Sequence, residues 1–426
     1  MDPALFPKFS DSLASAAGVL SGVLAGASLS ALLHGRNAPP AALRPAVQDL
    51  TYSALRQYGV VDALLGRLLD HPLQNERLRG LLMAALADLM ERPASAHTLV
   101  NQAVEAAHAI GETRAKGLVN AVLRAFLRQR TELLSTIQAG ETGRYRHPQW
   151  WIDELKQAWP DRWEELLAAA NSRGPMTLRV NVRRSSVERT LERLAGAGLG
   201  AIALGDEAIQ LERPLRVQLL PGFEEGEISI QDAGAQRAAH LLDLLPGQRV
   251  LDACAAPGGK TCHMLELADC DLVAVDNDPV RVRSIRDNLA RLRLAAEIRV
   301  ADAGNPETFR DAGPFDRILA DVPCSASGVS RRHPDIRWLR RHEDIASFAR
   351  RQAGLLDGLW QLLTPGGKLL YATCSLFPTE NGEQVRAFLS RQRSASQLPL
   401  PGLEGGQIFP GARSDGFFYA LLQKTP

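Results

Sequence analysis

Leu251-Asp252-Ala253-Cys254-Ala255-Ala256-Pro257-Gly258-Gly259-Lys260 decides the fold of this chain. Arg249–Cys254 is a short apolar run of strand length, and the Pro-Gly-Gly behind it ends the strand and opens a helix. The same alternation continues on both sides. Asp232 is a helix cap for a segment running to Leu244. Strands are expected at Leu272–Asp276, Glu297–Asp302, Asp316–Val322 and Lys368–Cys374, separated by helical sequence. Strands alternating with helices predict an α/β fold built on a parallel, doubly wound sheet, and Phe417–Leu422 supplies a final strand.

Residues 236–426 therefore form one α/β domain, and the rest of the chain reads differently. Residues 1–140 are Ala/Leu-rich and all-helical. In Gly117–Gln129, Leu118, Val122 and Phe126 recur every four residues beside Val119, Leu123 and Leu127. Lys116, Asn120, Arg124 and Arg128 make the opposite stripe, which reads either as a solvated face or as a surface for RNA. Residues 145–235 are a small α+β module. Thr177–Val182 alternates like a strand, Ser186 caps a helix to Ala197, and Ile228-Ser229-Ile230 is another strand. Arg179, Arg183 and Arg184 give this module basic character. Trp150, Trp151, Trp159 and Trp163 are read as core residues.

Composition narrows the function classes. At 426 residues with 45% hydrophobic content, the chain is globular and has more than one domain. A formal charge of +1 means that any nucleic-acid surface is a local patch. Five cysteines without a C-x-x-C pair argue against a disulfide framework. Cys254, Cys262 and His263 fit no zinc-ligand spacing, so no metal is expected. Residues 13–33 carry no charge, but serines and three glycines dilute them and Asp11 stands where a signal peptide would be basic. A buried bundle helix, no membrane association and a cytoplasmic location are expected.

The loop also limits the ligand. A phosphate-binding Walker loop needs glycine six positions before its lysine, and that position is Cys254; the G-x-G-x-x-G dinucleotide pattern is absent. What remains is a close-approach turn at the carboxyl end of the first strand, where doubly wound folds bind ligands. Asp276 ends the second strand, where it can accept from both ribose hydroxyls, and Asp302 ends the third, where it can accept from an adenine amino group. This trio suits S-adenosylmethionine. Two cysteines end later strands, in Asp321-Val322-Pro323-Cys324 and Ala372-Thr373-Cys374-Ser375. A thiol beside a methyl donor suits methylation at carbon 5 of a pyrimidine, because that carbon becomes nucleophilic only after a thiolate adds to carbon 6. The residues alone leave open which cysteine attacks. The target base must leave its stack, and the arginine-rich stretch Arg331–Arg351 is expected to contact phosphates.

"LDACAAPGGKT", "FDRILADVPCSASGVSRRHPDIRW", "LLYATCS" and "DGFFYALL" resemble the RsmB (Sun/Fmu) family of 16S ribosomal RNA cytosine-C5 methyltransferases. The resemblance runs the full length: "AKGLVNAVLR" is similar to the family's NusB-like RNA-binding domain, and the middle module to its small N1 domain. Val322 and Ala253 depart from the family's D-A-P-C and D-L-C patterns without changing a functional group. The resemblance implies a NusB-like helical domain, an α+β module and a Rossmann-like, S-adenosylmethionine-dependent catalytic domain. It implies cofactor contacts from Cys254, Ala255, Ala256, Pro257, Gly258, Gly259, Lys260, Asp276, Asp302 and Asp321. It also implies that Cys374 is the nucleophile, that Cys324 assists resolution of the adduct, and that Asp321 meets the base edge. The expected partner is 16S rRNA, free or early in subunit assembly, modified at the family's position 967 by a monomeric enzyme; the alternatives are the same chemistry on tRNA or 23S rRNA, and a non-catalytic NusB-like RNA-binding factor.

Overall fold

The computed structural model describes residues 8–425, which separate into two compact units. One comprises residues up to Ser172 together with Ser330–Arg341; the other comprises Arg173–Val329 and the chain from His342 onward.

The first unit is helical. Its helices are α1 (Phe9–Leu24), α2 (Leu29–His34), α3 (Arg44–Arg56), α4 (Tyr58–Leu68), α5 (Glu76–Glu91), α6 (Ala96–Ala109), α7 (Lys116–Gln138), α8 (Glu141–Tyr145), α9 (Gln149–Ala158) and α10 (Trp163–Asn171). The uncharged stretch at its start is two helices, not one. Ser28 accepts from the Ala31 amide and starts α2 anew, and no helix among the described residues is long and apolar enough to cross a membrane. In α1 the apolar face (Leu13, Ala16, Ala17, Leu20, Val23) is buried against α5. The two helices approach closely at Gly80, where a Cβ would stand 2.6 Å from the Ala17 carbonyl oxygen. In α7, Val119, Val122, Leu123 and Phe126 are buried as the period requires, whereas Leu118 is 38% exposed and lies off the core. Trp151 is core, and the other three tryptophans of its cluster are half-buried.

The second unit opens with β1 (Met176–Val180), α11 (Val187–Gly196), β2 (Ala201–Gly205), β3 (Ala208–Leu211) and β4 (Ile228–Ile230). These strands form an antiparallel sheet in the order β2-β3-β1-β4. Ser186 caps α11 as expected, accepting from the Arg189 amide at 3.2 Å. Arg179 does not give this module a basic surface. It is buried, with its guanidinium on both oxygens of buried Glu266 at 2.8 and 2.7 Å.

The larger sheet follows, with α12 (Ala233–Leu241), β5 (Arg249–Ala253), α13 (Gly259–Leu267), β6 (Asp271–Asp276), α14 (Pro279–Leu292), β7 (Glu297–Val300) and β8 (Phe315–Asp321). After it come α15 (Ile336–Leu339), α16 (His342–Leu362), β9 (Leu363–Thr373), α17 (Gly382–Arg391), β10 (Ala395–Leu398), β11 (Gln407–Ile408) and β12 (Phe417–Lys424). The strand order is β10-β12-β9-β8-β5-β6-β7, with β11 paired to β12. The β5 to β9 ladders are parallel, but β12 runs antiparallel to both β9 and β10. The parallel, doubly wound sheet expected from sequence is present, and the final strand, whose direction the sequence left open, makes it a mixed one. The α17 crossover carries the chain past a vacant position to β10, and the last strand returns into that slot. Both faces of the sheet are buried, so successive strand residues alternate between two cores: Val250, Leu272 and Leu370 face α12–α14, while Leu251, Val273 and Leu369 face α16 and α17.

Candidate active site

The carboxyl ends of β5, β6, β8 and β9 hold the predicted residues. At the end of β5, Cys254 takes a left-handed conformation (φ 69°) and Gly258 another (φ 96°). Gly258 has no room for a side chain, since a Cβ would lie 3.1 Å from Cα of Ile285. The loop is pinned by backbone: the Ala255 amide donates to Val275 O at 2.8 Å and the Gly258 amide to Ala255 O at 2.7 Å. Asn288 donates to Pro257 O at 2.9 Å, and Gly259, the first residue of α13, accepts from Arg179 at 2.7 Å. Burial pushes the Cys254 thiol up to about 12, reinforced by Asp321, Asp276 and Asp252, so this cysteine stays protonated at neutral pH.

Asp276 is buried at the end of β6. Its oxygens accept the amides of Ala256 and Asp278, each at 3.1 Å, and Arg281 stands 3.5 Å away. Those donors fix the carboxylate while leaving lone pairs for further donors. Asp302 lies two residues beyond β7, so the third strand is shorter than expected, and its Oδ1 accepts the Gly304 amide at 3.0 Å. Cys254, Asp276, Asn277, Arg281, Asp302, Pro323 and Arg351 line one small cleft. Two acids that can accept from hydroxyls and an amine, beside a close-approach glycine turn, fit the donors of an adenosine. Sequence reasoning missed Asn277 and Arg281, and it counted Arg351 among phosphate contacts.

The two thiols meet. Cys324 Sγ is 3.4 Å from Cys374 Sγ, and both are free cysteines. The Cys374 contact and burial together raise the Cys324 thiol well above its ordinary range. Beside them, Asp321 at the end of β8 accepts from Lys260 Nζ at 2.7 Å. Burial opposes the charge of Lys260, but Asp321 outweighs it and the ammonium is stabilised.

Glu380, absent from the sequence-based set, holds this pair together. Its buried carboxylate accepts the Ser325 amide at 2.8 Å, Gln352 Nε2 at 3.1 Å and Ser375 Oγ at 2.6 Å, along with the Ser325 hydroxyl. The residue after each cysteine is therefore tied to one carboxylate. Asn381 adds a bond to Ser375 O at 2.9 Å, and the Gly328 amide donates to Cys374 O at 2.8 Å.

The arginine-rich stretch does not act as a unit. Ser330–Arg341 belongs to the helical unit, where Arg331 and Arg337 are buried and unavailable to phosphates. Arg337 donates to Asn171 Oδ1 at 2.6 Å and to the Ala170 carbonyl, and Trp338 donates to Leu55 O at 2.9 Å. Arg341, Arg350 and Arg351 are exposed.

A parallel sheet with a reversed last strand, a close-approach loop and strand-end acids defines a Rossmann-like, S-adenosylmethionine-dependent methyltransferase, here with a paired-thiol site. Family models for the 16S rRNA methyltransferase RsmB/F, its ferredoxin-like domain and the NusB family match residues 239–423, 147–218 and 15–128 respectively. The chain is 42% identical to a Vibrio vulnificus protein and 44% identical to a Pseudomonas putida protein, both named ribosomal RNA small subunit methyltransferase B, across 89% of its own length and 90% of theirs. It belongs to this RsmB family of S-adenosylmethionine-dependent rRNA methyltransferases. The fold is shared with the crystal structure of PH0851 (TM-score 0.80, 24% identity, 97% of this chain and 99% of that one). A methyltransferase homologue from Pyrococcus horikoshii is also similar (TM-score 0.59, 29% identity, 66% of this chain and 97% of that one).

Proposed function

We propose that this enzyme methylates carbon 5 of a cytosine in 16S rRNA through a covalent adduct on Cys374. The observation that carries the reading is the pair of thiols 3.4 Å apart at neighbouring strand ends, close to the adenosine-type cleft. Asp276 and Asp302 would hold the ribose hydroxyls and the adenine amino group of S-adenosylmethionine, with Cys254 to Lys260 forming the wall. When bound, that cofactor supplies a methyl group activated for transfer to carbon.

The Cys374 thiolate adds to carbon 6, forming an S–C bond while the electron pair of the 5,6 double bond moves toward the ring's carbonyl and N3. Asp321, with Lys260 beside it, hydrogen-bonds the base edge and stabilises that charge. Carbon 5 is then an enamine carbon and accepts the methyl group. Transfer of the carbon-5 proton to solvent water restores the double bond and expels Cys374 as thiolate. Cys324 keeps its proton in the resting site and assists this last step. Both thiols and the cleft come from one unit of one chain, in keeping with a monomer, and working thiols suit the reducing cytoplasm.

We assign residues 1–140 to RNA binding, 145–235 to a linking module and 236–426 to catalysis. The substrate is free 16S rRNA or an early assembly intermediate, since the target base has to be reachable. The thiol variants test the chemistry on 5-fluorocytosine-containing RNA. Cys374→Ala should lose methylation and form no adduct, whereas Cys324→Ala should accumulate a protein–RNA species stable to denaturing gels. The reverse pattern would make Cys324 the nucleophile.

A further inference from the structure

Glu207, His240 and His263 converge on the second unit, with one ligand-type atom from each within 4.8 Å of the others. None belongs to the methyl-transfer machinery. Glu207 sits in the turn between β2 and β3, His240 in α12 and His263 in α13. His240 Nε2 is 2.8 Å from Glu207 Oε2, and His263 Nε2 is 3.7 Å from the same oxygen, beyond hydrogen-bond reach. His263 is 1% exposed, and neither of its ring nitrogens has a hydrogen-bond partner. A buried imidazole with both nitrogens unsatisfied calls for a missing partner.

We propose that Glu207, His240 and His263 bind one divalent transition-metal ion of the zinc class. Two imidazoles and one carboxylate are a borderline donor set of the kind zinc takes, whereas calcium and magnesium prefer oxygen throughout. Around a tetrahedral ion with bonds of about 2.0–2.1 Å, neighbouring ligand atoms stand roughly 3.3 Å apart. The two separations to Glu207, 2.8 and 3.7 Å, bracket that value and all three ligand atoms lie within 4.8 Å of one another, so modest side-chain shifts would complete the site. The side chain of His240 is 34% exposed, which provides an entry path and room for water in the fourth position. No spacing rule finds this site, because its ligands come from three separate elements. The ion would fasten the small sheet to α12 and α13, beside the buried Arg179–Glu266 pair that links the same two layers. Its role is structural, with no part in methyl transfer.

The test uses the full-length, reduced chain after chelator treatment, titrated with Zn2+ by calorimetry and with Co2+ by visible absorption. One equivalent should bind, giving tetrahedral cobalt bands without a thiolate charge-transfer band. His240→Ala and Glu207→Gln should each weaken binding by about 100-fold or more. His240 is chosen because, being partly exposed, it can be truncated with the fold intact, which circular dichroism checks. Absence of stoichiometric binding, a thiolate band from the cysteines, or unchanged affinity in both variants would overturn the proposal.

Discussion

Glu380 governs the geometry of the thiol pair although it touches neither sulfur. Four donors converge on its carboxylate, three of them from Ser325 and Ser375, the residues that follow Cys324 and Cys374. In Glu380→Gln one acceptor becomes an N–H donor facing another donor, and an unsatisfied buried group costs about 1–3 kcal/mol. Thermal unfolding should register that loss, and single-turnover methyl transfer should slow by about tenfold or more, since each 1.4 kcal/mol is a factor of ten. S-adenosylmethionine affinity, measured by calorimetry, should stay near wild type; a wild-type transfer rate would remove Glu380 from this role. Asp252 yields a pH prediction. Burial raises its carboxyl from 3.8 to about 7, although the Thr261 hydroxyl donates to it at 2.6 Å. Between those two values the native state binds more protons than the unfolded chain, so this contribution is complete below the unfolded pKa and is lost as pH rises through about 7. The melting temperature of wild type relative to Asp252→Asn should therefore fall from pH 5 to about pH 7 and level off above it; a flat difference would show that Asp252 is ionised throughout. The cysteines and strand-end acids could be found from sequence because the chemistry needs those residue types after apolar runs. Glu380 could not, because a short turn has no period that reveals burial. Arg179 misled for a related reason: its partner Glu266 is 87 positions away.

At the scale of elements, the cofactor loop is set by packing of α14 as much as by its own sequence. Gly258 takes φ 96° with Ile285 pressed against it, and Asn288 and Arg281 of α14 hold Pro257 O at 2.9 Å and Ala256 O at 2.7 Å. Gly258→Ala forces a left-handed alanine, at about 1–2 kcal/mol, and pushes α14 outward. The expected result is S-adenosylmethionine binding weakened by at least about tenfold with the fold retained, read by calorimetry and circular dichroism. Equal affinity would mean that the loop tolerates a displaced α14. Element types were legible wherever a clear period or cap existed, as in α7, α11 and β5. The antiparallel direction of β12 was not, because a strand's residues report burial and alternation but not the direction of its neighbours.

At the scale of the molecule, the helical unit is not continuous in sequence. The chain leaves the catalytic unit after Val329, contributes Ser330–Arg341 to the helical unit, and returns at His342. The segment is built into that unit. Asp335 accepts the Leu29 amide at the start of α2 at 2.9 Å, the Trp338 ring lies 4.6 Å from Tyr58 of α4, and Arg337 bonds Asn171 at the end of α10. An arginine-rich run between a catalytic strand and a helix reads as surface in sequence, because its apolar and hydrogen-bonding partners lie 166 to 306 positions earlier. Trp338→Ala in the full chain removes a half-buried indole and a hydrogen bond, a loss of about 2–4 kcal/mol by comparison with fully buried tryptophans. Hydrogen exchange should then accelerate across α2, α3 and α4, where the indole and Asp335 dock, while amides of β5, β6, β8 and β9 keep their protection. Asp335→Ala should give the same pattern in weaker form, centred on the freed Leu29 amide. If both units lose protection together, the segment is acting through global stability; if neither does, its docking contributes nothing measurable to the helical unit.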